Sequence, residues 1–440
     1  MTNLDVSHNL VLRLAITVIN RRGNAVQVVV IGAGVVGLAS AWYLARQGLQ
    51  VTLVDRHADV AQETSFANGG QLSYSYVAPL ADPGVISKLP QWLLRADSPL
   101  RFRPRLDPAQ WRWCMAFLRS CNDAQVRRTI GEMLSLSFLS RDALDELLGE
   151  HALDFDLIRT GKLVVYRDPG ALAAAAPMVD WQRSLGADQR ILDGAGCVAL
   201  EPALQAIGGQ LAGGIFTPGE ATGDCLRFCQ GLKALLAQLP NVHLVLGREV
   251  KALVHERNRV VAVRTDHGDL PADAVVMAAG MFSVPLLKPL GISLPLYGLR
   301  GYSLSVPLDA AMQAPRLSVT DAARKVVYAP LNQHLRIAAM VDMGVARADI
   351  DPARITLLKQ QVLETFPHLE LTNAKAWAGL RPSTAHSKPI VGRAGNFSNL
   401  WLNVGQGALG FTLALGSARL LAAQVMNEAP PIDPAPFQLR

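Results

Sequence analysis

Residues 27–55 read QVVVIGAGVVGLASAWYLARQGLQVTLVD, and they set the architecture of the whole chain. The run 27–31 is β-branched and apolar without polar alternation, which is typical of a strand covered on both faces. The glycine-rich segment GAGVVG follows directly, and 38–47 then has the composition of a helix ended by Gly48. A second apolar strand closes on Asp55. The stretch therefore predicts a complete strand–helix–strand unit of the dinucleotide-binding type.

Each part of this unit has a physical task in holding a dinucleotide. Gly32 permits a tight turn, Gly34 lets the backbone approach a pyrophosphate, and Gly37 allows close helix–strand packing. The helix amino end offers free N–H groups to the phosphates, and Asp55 can accept hydrogen bonds from ribose hydroxyls but would repel the extra phosphate of NADP. A glycine-rich turn that packs closely without a ligand is the alternative. The residues predicted to contact the dinucleotide are Ile31, Gly32, Gly34, Val35, Val36, Gly37, Asp55 and Arg56.

The composition excludes several protein classes. With 440 residues, the chain is long enough for two or three domains, and 50% hydrophobic against 18% charged residues excludes a mostly disordered protein. Arg, Gly or Pro interrupts every apolar run well before about 18 residues, so no spanning helix is predicted. Five cysteines without a C-x-x-C pair argue against disulfides or zinc and favour reduced, intracellular thiols. The formal charge of +6 is mild and the basic residues are scattered, so nucleic acid is not predicted as a ligand. No cluster of His, Cys and Asp has the spacing of metal ligands, so no metal is predicted.

Residues 1–26 differ from the rest of the chain. The stretch 11–19, VLRLAITVI, is apolar but short, is broken by Arg13, and precedes Arg21 and Arg22. It is shorter than a membrane span, and no small-residue cleavage site follows, so a secretory signal is not predicted. A poorly ordered leader or an early start codon is the favoured interpretation, and a short amphipathic anchor at a lipid surface is the other.

A second glycine-rich turn lies near the carboxyl end. The apolar strand 400–404 is followed by GQGALG at 405–410 and by a helix that runs through Val425. Such a turn would suit a flavin, because a helix amino end stabilises the negative charge that the N1–C2=O edge acquires on reduction. Ordinary strand–helix packing explains the spacing equally well. A buried strand at 270–279 that ends at Gly280 completes the predicted sheet.

Six segments resemble one known family. They are VVVIGAGVVGLASAWYLARQG (28–48), ETSFANGGQLSYSYVAPLADPGV (63–85), EATGDC (220–225), LYGLRGYSLSVP (296–307), GLRP (379–382) and LWLNVGQGALGFTLALGSARLL (400–421). With these segments the chain resembles the small, catalytic subunit of D-amino-acid dehydrogenases, within the FAD-dependent group that includes D-amino-acid and sarcosine oxidases. The resemblance implies an α/β fold, with a Rossmann-type FAD-binding domain of the glutathione-reductase kind and a substrate domain built on a mixed β-sheet.

The resemblance also implies that both domains are assembled from separated stretches. After a leader at 1–26, the FAD-binding domain is expected to take 27–79, 215–290 and 379–440, and the substrate domain 80–214 and 291–378. Trp111 and Trp113, in a stretch with helical periodicity, are predicted to pack rather than to bind ligands.

The implied reaction moves the α-hydrogen of a D-amino acid to flavin N5 as hydride, and the imino acid is hydrolysed to a 2-oxo acid and ammonia. Arg381, in GLRP, is predicted to hold the substrate carboxylate by two parallel hydrogen bonds, with a structural ion pair as the alternative. Tyr302, as a wall over the substrate, and Gln71 are the other predicted catalytic residues, and Tyr297 is a weaker candidate. The further implied FAD contacts are Thr64, Ser65, Gly69, Gly70, Val250, Ala279, Gly280, Gly405, Gln406, Gly407, Ala408, Leu409 and Gly410.

Three departures from the family pattern border the expected site. Gln406 stands where the family usually has histidine, Ala-His-Ser at 385–387 replaces a Pro-Asp-Gly turn, and Arg324 replaces a common tyrosine. They keep cyclic or secondary amino acids (D-proline, its 4-hydroxy derivative or sarcosine) as alternatives to a D-alanine-like substrate.

The expected partners follow from the same resemblance. A quinone or another acceptor is expected to take the electrons, with an O₂-using oxidase as the alternative. The expected location is the cytoplasmic side, with peripheral contact to the inner membrane. A non-catalytic FAD- or NAD-binding protein is the remaining alternative.

Overall fold

The structure is a computed structural model that describes residues 25–86, 98–309 and 312–439. Almost all of the expected leader, including the anchor proposed at 11–22, lies outside these residues. The predicted α/β fold is confirmed, because one large sheet is mostly parallel and a second large sheet is mixed.

The elements are numbered in chain order over the described residues. The strands are β1 Gln27–Ile31, β2 Gln50–Asp55, β3 Gln71–Leu72, β4 Leu100–Phe102, β5 Lys162–Tyr166, β6 Arg190–Asp193, β7 Gly213–Thr217, β8 Ala221–Thr222, β9 Val242–Leu246, β10 Val250–Glu256, β11 Arg259–Thr265, β12 Gly268–Pro271, β13 Ala274–Met277, β14 Leu296–Pro307, β15 Ser318–Asp321, β16 Val326–Leu331, β17 His334–Met343, β18 Lys375–Thr384, β19 Ile390–Arg393 and β20 Leu400–Val404. The α-helices are α1 Val35–Arg46, α2 Pro108–Ser120, α3 Asp123–Glu150, α4 Pro169–Ser184, α5 Gly194–Leu200, α6 Cys225–Ala237, α7 Ser283–Leu287, α8 Pro352–Leu363 and α9 Gly410–Met426.

The first large sheet, called the parallel sheet, has the order β19-β20-β13-β1-β2-β9. All of its strands run parallel except β19, which pairs antiparallel with β20 at one edge. β1 can lie in the centre because its valines leave no polar side chain to solvate, and Val28, Val29 and Val30 are each at most 1% exposed. α1 packs against this sheet and against α9. The carboxyl ends of the parallel strands therefore meet at one edge, where sheets of this class bind ligands.

The second large sheet, called the mixed sheet, has nine strands in the described part of the chain. Eight follow the order β18-β14-β17-β16-β15-β5-β7-β6, and β4 pairs with β17. One face packs on an apolar core that includes Leu163, Tyr302, Tyr328 and residues of α8. Side chains opposite each other in register share a face. The other face, called the inner face, carries on successive strands Arg381, Ser303, Ala338, Ala329, Ser318 and Lys162.

The predicted domain boundaries at 214/215 and 378/379 do not coincide with the limits of the two large sheets. Both fall inside strands, since β7 and β18 pair along their whole length within the mixed sheet. Helix α3, expected in the substrate domain, packs against α9 beside the parallel sheet. Gly416 permits this contact, because a Cβ there would lie 2.6 Å from the Leu136 oxygen. The sequence shows where turns occur, but it does not show which distant strands pair or which distant helices pack together.

Two smaller features complete the described part of the chain. β10, β11 and β12 form a separate antiparallel meander, and β3 pairs with β8 in a two-stranded ribbon. Among the described residues, the stretch Gly407–Val425 is long and apolar enough to cross a membrane by length and composition, and 67% of its apolar window is buried inside the protein. Packing of α9 against α1 and α3 accounts for that apolar composition.

Candidate active site

The first glycine turn joins β1 to α1 and is shaped by backbone crowding. Gly32 has a φ of +106°, which favours glycine, and a Cβ there would lie 2.7 Å from the Ala278 oxygen just after β13. A Cβ on Gly37 would lie 1.7 Å from the Gly32 oxygen. The geometry thus shows a physical reason for glycine at both positions, a tight turn at the first and close packing at the second.

The amino end of α1 can receive a ligand. Its N-cap is Gly34, which has no side chain to bond the first N–H groups of the helix. The Val35 N–H donates to Ser65 Oγ at 3.1 Å, which places Ser65 at the helix end. The Asp55 carboxylate accepts from the Ala33 N–H at 2.7 Å, so it lies beside the same turn. The residues predicted to bind phosphate and ribose therefore lie together.

The second glycine turn also requires glycine. Gly405 and Gly407 have φ values of +85° and +59°. α9 begins at Gly410 without a side-chain cap, which leaves its first N–H groups available to a ligand. Gln406 is 4% exposed, and its amide donates to Asn403 Oδ1 at 2.7 Å, so its side chain is directed into the protein. The glutamine at this position thus makes a buried hydrogen bond within the protein.

Residues 67–73, called the crossing loop, run across the inner face of the mixed sheet and contact five of its strands. The contacts are Ser303 Oγ to Ala67 O at 2.6 Å on β14, Gly69 beside Ala338 on β17, Gly70 beside Ala329 on β16, Gln71 Nε2 to Ser318 Oγ at 2.6 Å on β15, and Lys162 Nζ to Gln71 Oε1 at 3.1 Å on β5. Thr412 Oγ1, in the first turn of α9, donates to the Gln71 oxygen at 3.3 Å. The loop therefore joins the mixed sheet to the helix that follows the second glycine turn.

Arg381 lies on the inner face where the two large sheets meet. The next residue, Pro382, adjoins the end of the parallel sheet, since a Cβ on Gly280 would lie 3.9 Å from Pro382 Cγ. The guanidinium covers Gly301, where a Cβ would lie 2.3 Å from the Arg381 Cζ. Its Nη1 donates to the Met340 oxygen at 3.0 Å. Glycine at 301 thus makes room for the arginine head group.

Arg381 has no carboxylate at ion-pairing distance among the described residues. Other arginines of the mixed sheet and of α8 do: Arg300 and Arg354 pair with Asp342, and Arg336 pairs with Asp224. Burial lowers the pKa of Arg381 to about 10, so it stays a cation at neutral pH. A partly buried guanidinium without an anion can bind an incoming carboxylate.

A family model described as FAD dependent oxidoreductase matches residues 27–424. The chain belongs to this family. D-amino acid dehydrogenase 2 of Ralstonia nicotianae is 48% identical over 423 residues, which cover 94% of this chain and 99% of the relative. D-amino acid dehydrogenase 2 of Pseudomonas aeruginosa is 48% identical over 411 residues, covering 93% and 97%. The solved glycine oxidase of Geobacillus kaustophilus matches with a TM-score of 0.73 at 19% identity, covering 94% and 98%, which shows the shared fold.

The residues of this FAD-dependent oxidoreductase fit its cofactor. FAD needs a cradle for its pyrophosphate and a partner for the negative charge of the reduced ring, and the amino ends of α1 and α9, whose N-cap residues make no side-chain bond, would provide them. Ala279 adjoins the first turn, since a Cβ on Gly32 would lie 2.9 Å from its Cα. Val250 begins β10 close to the end of β2, because the Arg248 N–H donates to the Asp55 oxygen at 2.8 Å. The predicted FAD contacts of the parallel sheet thus share one edge.

Tyr302 lies on the wrong face of the mixed sheet for its predicted catalytic role. The strand register directs it away from Arg381 and into the apolar core. It is 1% exposed, and its hydroxyl donates to Asp342 Oδ2 at 2.7 Å. The same carboxylate pairs with Arg300 and Arg354, each at 3.0 Å. Tyr302 therefore belongs to a buried charge cluster, and the prediction is corrected accordingly.

We expect Tyr302→Phe to lower the free energy of unfolding by about 1–3 kcal/mol, because a buried hydrogen bond to a carboxylate is lost. The KM for the substrate should stay within about twofold of wild type. Tyr297→Phe is the control, since Tyr297 packs with Trp113 in an apolar cluster, and we expect less than about 0.5 kcal/mol there. Denaturant unfolding and steady-state kinetics measure both. A KM raised tenfold by Tyr302→Phe would restore the substrate role.

Two further predicted FAD contacts hold the loop that follows β2. Thr64 Oγ1 donates to the Leu380 oxygen at 2.7 Å, which ties this loop to β18 beside Arg381. The Arg56 guanidinium lies over the Phe282 ring, with its Cζ 3.6 Å from the centroid, and also pairs with Glu63. The Thr64 contact therefore links the loop after β2 with the mixed sheet.

The departures from the family pattern lie outside the inner face. Arg324 pairs with Asp321 at 3.1 Å and with Glu364 at 2.6 Å, so an anionic substrate group is not needed to neutralise it. The turn 385–387 borders a cavity of about 190 Å³ whose lining includes His386. Arg381, the crossing loop and the glycine turns do not line that cavity, so it is separate from the candidate site.

The prediction missed two buried ionisable residues beneath the crossing loop, a lysine and a glutamate. Lys162 and Glu220 are 2% and 1% exposed. A signal was present in the sequence, because Lys162 opens the apolar strand KLVVY, where a lysine must find a partner if it is buried. Which acid lies near it depends on tertiary packing.

In the described residues no group of acidic, cysteine or histidine side chains could hold a metal ion.

Proposed function

We infer that this chain oxidises a D-amino acid to a 2-oxo acid and ammonia, with FAD as the hydride acceptor. The two D-amino acid dehydrogenases described above are each 48% identical to it over nearly its whole length. Arg381 carries the proposal, because its guanidinium has no carboxylate partner among the described residues and lies where β18 meets the parallel sheet. An α-amino acid supplies the anion that this position requires.

The reaction fits the residues present. FAD, when bound, supplies the acceptor for the hydride that leaves Cα. The amine nitrogen loses a proton as the C=N bond forms, and water then converts the imino acid to the 2-oxo acid and ammonia. Arg381 would hold the carboxylate by two parallel hydrogen bonds and so restrict the positions that Cα can take.

Product analysis tests the substrate assignment. With an artificial acceptor, we expect D-amino acids to give one 2-oxo acid and one ammonia for each two-electron reduction, and the L-enantiomers to give none. Oxidation of D-proline would yield a cyclic imine without ammonia, and oxidation of sarcosine would release methylamine. Acceptor reduction by one of these two alone would replace the D-amino-acid assignment with a cyclic or secondary amine.

We further propose that a membrane quinone takes the electrons and that α2 contacts the lipid surface. Trp111, Met115 and Leu118 follow the i, i+4, i+7 spacing along one side of α2, and they are 47%, 54% and 45% exposed. Arg112 and Arg119 lie beside this stripe, and the helix contains no acidic residue. Apolar stripes flanked by arginines are typical of helices that lie on anionic membranes.

The position of α2 supports the same proposal. Its buried side is attached to β18, because Trp113 Nε1 donates to the Ser383 oxygen at 2.8 Å, two residues after Arg381. A bilayer contact there would bring a lipid-soluble acceptor close to the candidate site. Such a contact would place the protein at the periphery of the inner membrane, on its cytoplasmic side.

We expect Trp111→Asp with Met115→Asp to weaken binding to phosphatidylglycerol-containing vesicles at least tenfold, with FAD content and turnover of a soluble acceptor retained. Leu185→Asp is the control, since Leu185 is 41% exposed after α4, and it should bind as wild type does. Vesicle sedimentation measures the binding. Full binding by the double variant would contradict the role of α2, and peroxide formation faster than quinone reduction would identify an oxidase.

A further inference from the structure

A buried lysine beneath the crossing loop takes no part in the reaction described above. Lys162, the first residue of β5, donates to Gln71 Oε1 and to Ser73 Oγ, each at 3.1 Å. The ring of Tyr76 covers the ammonium, with Nζ 4.1 Å from the centroid. Its 2% exposure means that water contributes little to its solvation. Protein groups must therefore stabilise this charge.

Glu220 is a buried acid that attracts the Lys162 ammonium from another element. It lies just before β8, and its Oε1 accepts from the backbone N–H groups of Ser75 and Tyr76 at 2.6 and 3.3 Å. Its Oε2 has no hydrogen-bond partner in the described structure. Burial raises the pKa of Glu220, and attraction to Lys162 opposes that rise. The two side chains hydrogen-bond the same stretch of chain, 71–76, Lys162 from the mixed sheet and Glu220 from beside the β3–β8 ribbon.

Hydrogen bonds connect this pair to the amino end of α9. The Ser73 hydroxyl accepts from Lys162, and the Ser73 N–H donates to Thr412 Oγ1 at 3.0 Å. Thr412 Oγ1 in turn donates to the backbone carbonyl oxygen of Gln71 at 3.3 Å. Thr412 lies in the first turn of α9, the uncapped helix that follows the second glycine turn. The Lys162 ammonium is thus connected through Ser73 to the helix end that carries a partial positive charge.

We propose that Lys162 is a positioning residue of the flavin site, which fixes the crossing loop through Gln71 and adds its charge to the positive end of α9. FAD gains negative charge on reduction, so both charges favour its reduced form. Attraction to Glu220 opposes the fall that burial causes in the pKa of the Lys162 ammonium. The inference depends on bound FAD and not on which amino acid is the substrate.

The reduction potential of bound FAD tests this proposal. Lys162→Gln removes the charge but keeps an amide donor for the loop, and we expect a more negative potential. A tenfold change in the balance of reduced and oxidised flavin is about 30 mV for a two-electron couple, and we expect at least that. Lys162→Arg should stay near wild type. Lys388→Gln is the control, because Lys388 is another buried lysine, paired with Glu132 at 2.5 Å, and should not shift the potential.

The pH dependence provides a second readout. Burial lowers the pKa of Lys162 to about 8, so the charge is present below that pH and is lost above it. The potential of the wild type should therefore fall more steeply above about pH 8 than that of Lys162→Gln. The other titratable groups around the ammonium are Glu220 and the tyrosines at 74, 76 and 166, whose pKa values burial raises, so the tyrosines stay neutral in this range.

Three results would overturn the proposal. They are an unchanged potential in FAD-bound Lys162→Gln, an equal shift in Lys162→Arg, which would indicate packing instead of charge, and an equal shift in Lys388→Gln. If Lys162→Gln does not fold or bind FAD, the wild-type pH profile decides, and the absence of the steeper slope contradicts the proposal. Dithionite replaces the amino acid as reductant, so failure of the substrate assignment would leave the measurement valid.

Discussion

Arg381→Ala is expected to raise the KM for a D-amino acid about a hundred- to a thousandfold while FAD stays bound. A hydrogen bond between charged groups contributes about 1.5–3 kcal/mol, and an arginine can make two of them to one carboxylate. A combined loss of about 3–4 kcal/mol corresponds to that range, since about 1.4 kcal/mol is a factor of ten. FAD should remain because the Arg381 side chain donates to the Met340 oxygen and covers Gly301, both outside the glycine turns.

A comparison of substrates separates carboxylate binding from other causes. The wild type should prefer D-alanine strongly over ethylamine, which lacks the carboxylate, and Arg381→Ala should lose most of this preference. Arg393→Ala is the control, since Arg393 lies over the Trp401 ring, with its Cζ 5.1 Å from the centroid, and should leave the KM unchanged. An Arg381→Ala variant with the wild-type KM would remove this residue from the site.

Gly37→Ala is expected to abolish FAD binding and to lower the free energy of unfolding by about 3 kcal/mol or more. The added Cβ would lie 1.7 Å from the Gly32 oxygen, and the backbone of α1 or of the glycine turn must move to relieve that contact. The turn is held on its other side, where a Cβ on Gly32 would lie 2.7 Å from the Ala278 oxygen. The phosphate cradle and the helix packing therefore fail together.

Gly131→Ala is the matched control, because Gly131 also lies within a helix, α3, and a Cβ there would meet no atom within 4 Å. Alanine has the higher helix propensity, so we expect this variant to be more stable by about 0.5–1 kcal/mol and to bind FAD normally. Denaturant unfolding and the flavin absorbance of the purified proteins measure both variants. Normal FAD content in Gly37→Ala would contradict the close packing described at the first turn.

The features that were predictable from sequence are local ones. The glycine spacing of 32–37 specifies a turn and a helix start whose geometry depends on residues close in sequence. The pattern alone was therefore sufficient to predict them. Arg381 was identified by resemblance, and the structure adds that no described carboxylate neutralises it. Lys162 could be flagged as a lysine at the start of an apolar strand, but its contact with Gln71 connects residues 91 positions apart.

The error over Tyr302 has a specific physical cause. Successive strand residues point to opposite faces, so whether a tyrosine and an arginine on paired strands share a face changes with each one-residue shift of the register. In the β14–β18 pair, Arg381 is opposite Leu299 and Tyr302 is opposite Ala378. Register is set by packing of the whole sheet, including Asp342 on β17, which binds the tyrosine hydroxyl. Motif reading along one strand does not contain that information.

Anaerobic mixing of the FAD-bound protein with amino acids tests the central claim most directly, because it requires no external acceptor. We predict that a D-amino acid bleaches the flavin absorbance, that its L-enantiomer does not, and that Arg381→Ala needs a far higher concentration for the same bleaching. A yellow, folded protein whose absorbance no D-amino acid changes would contradict the account.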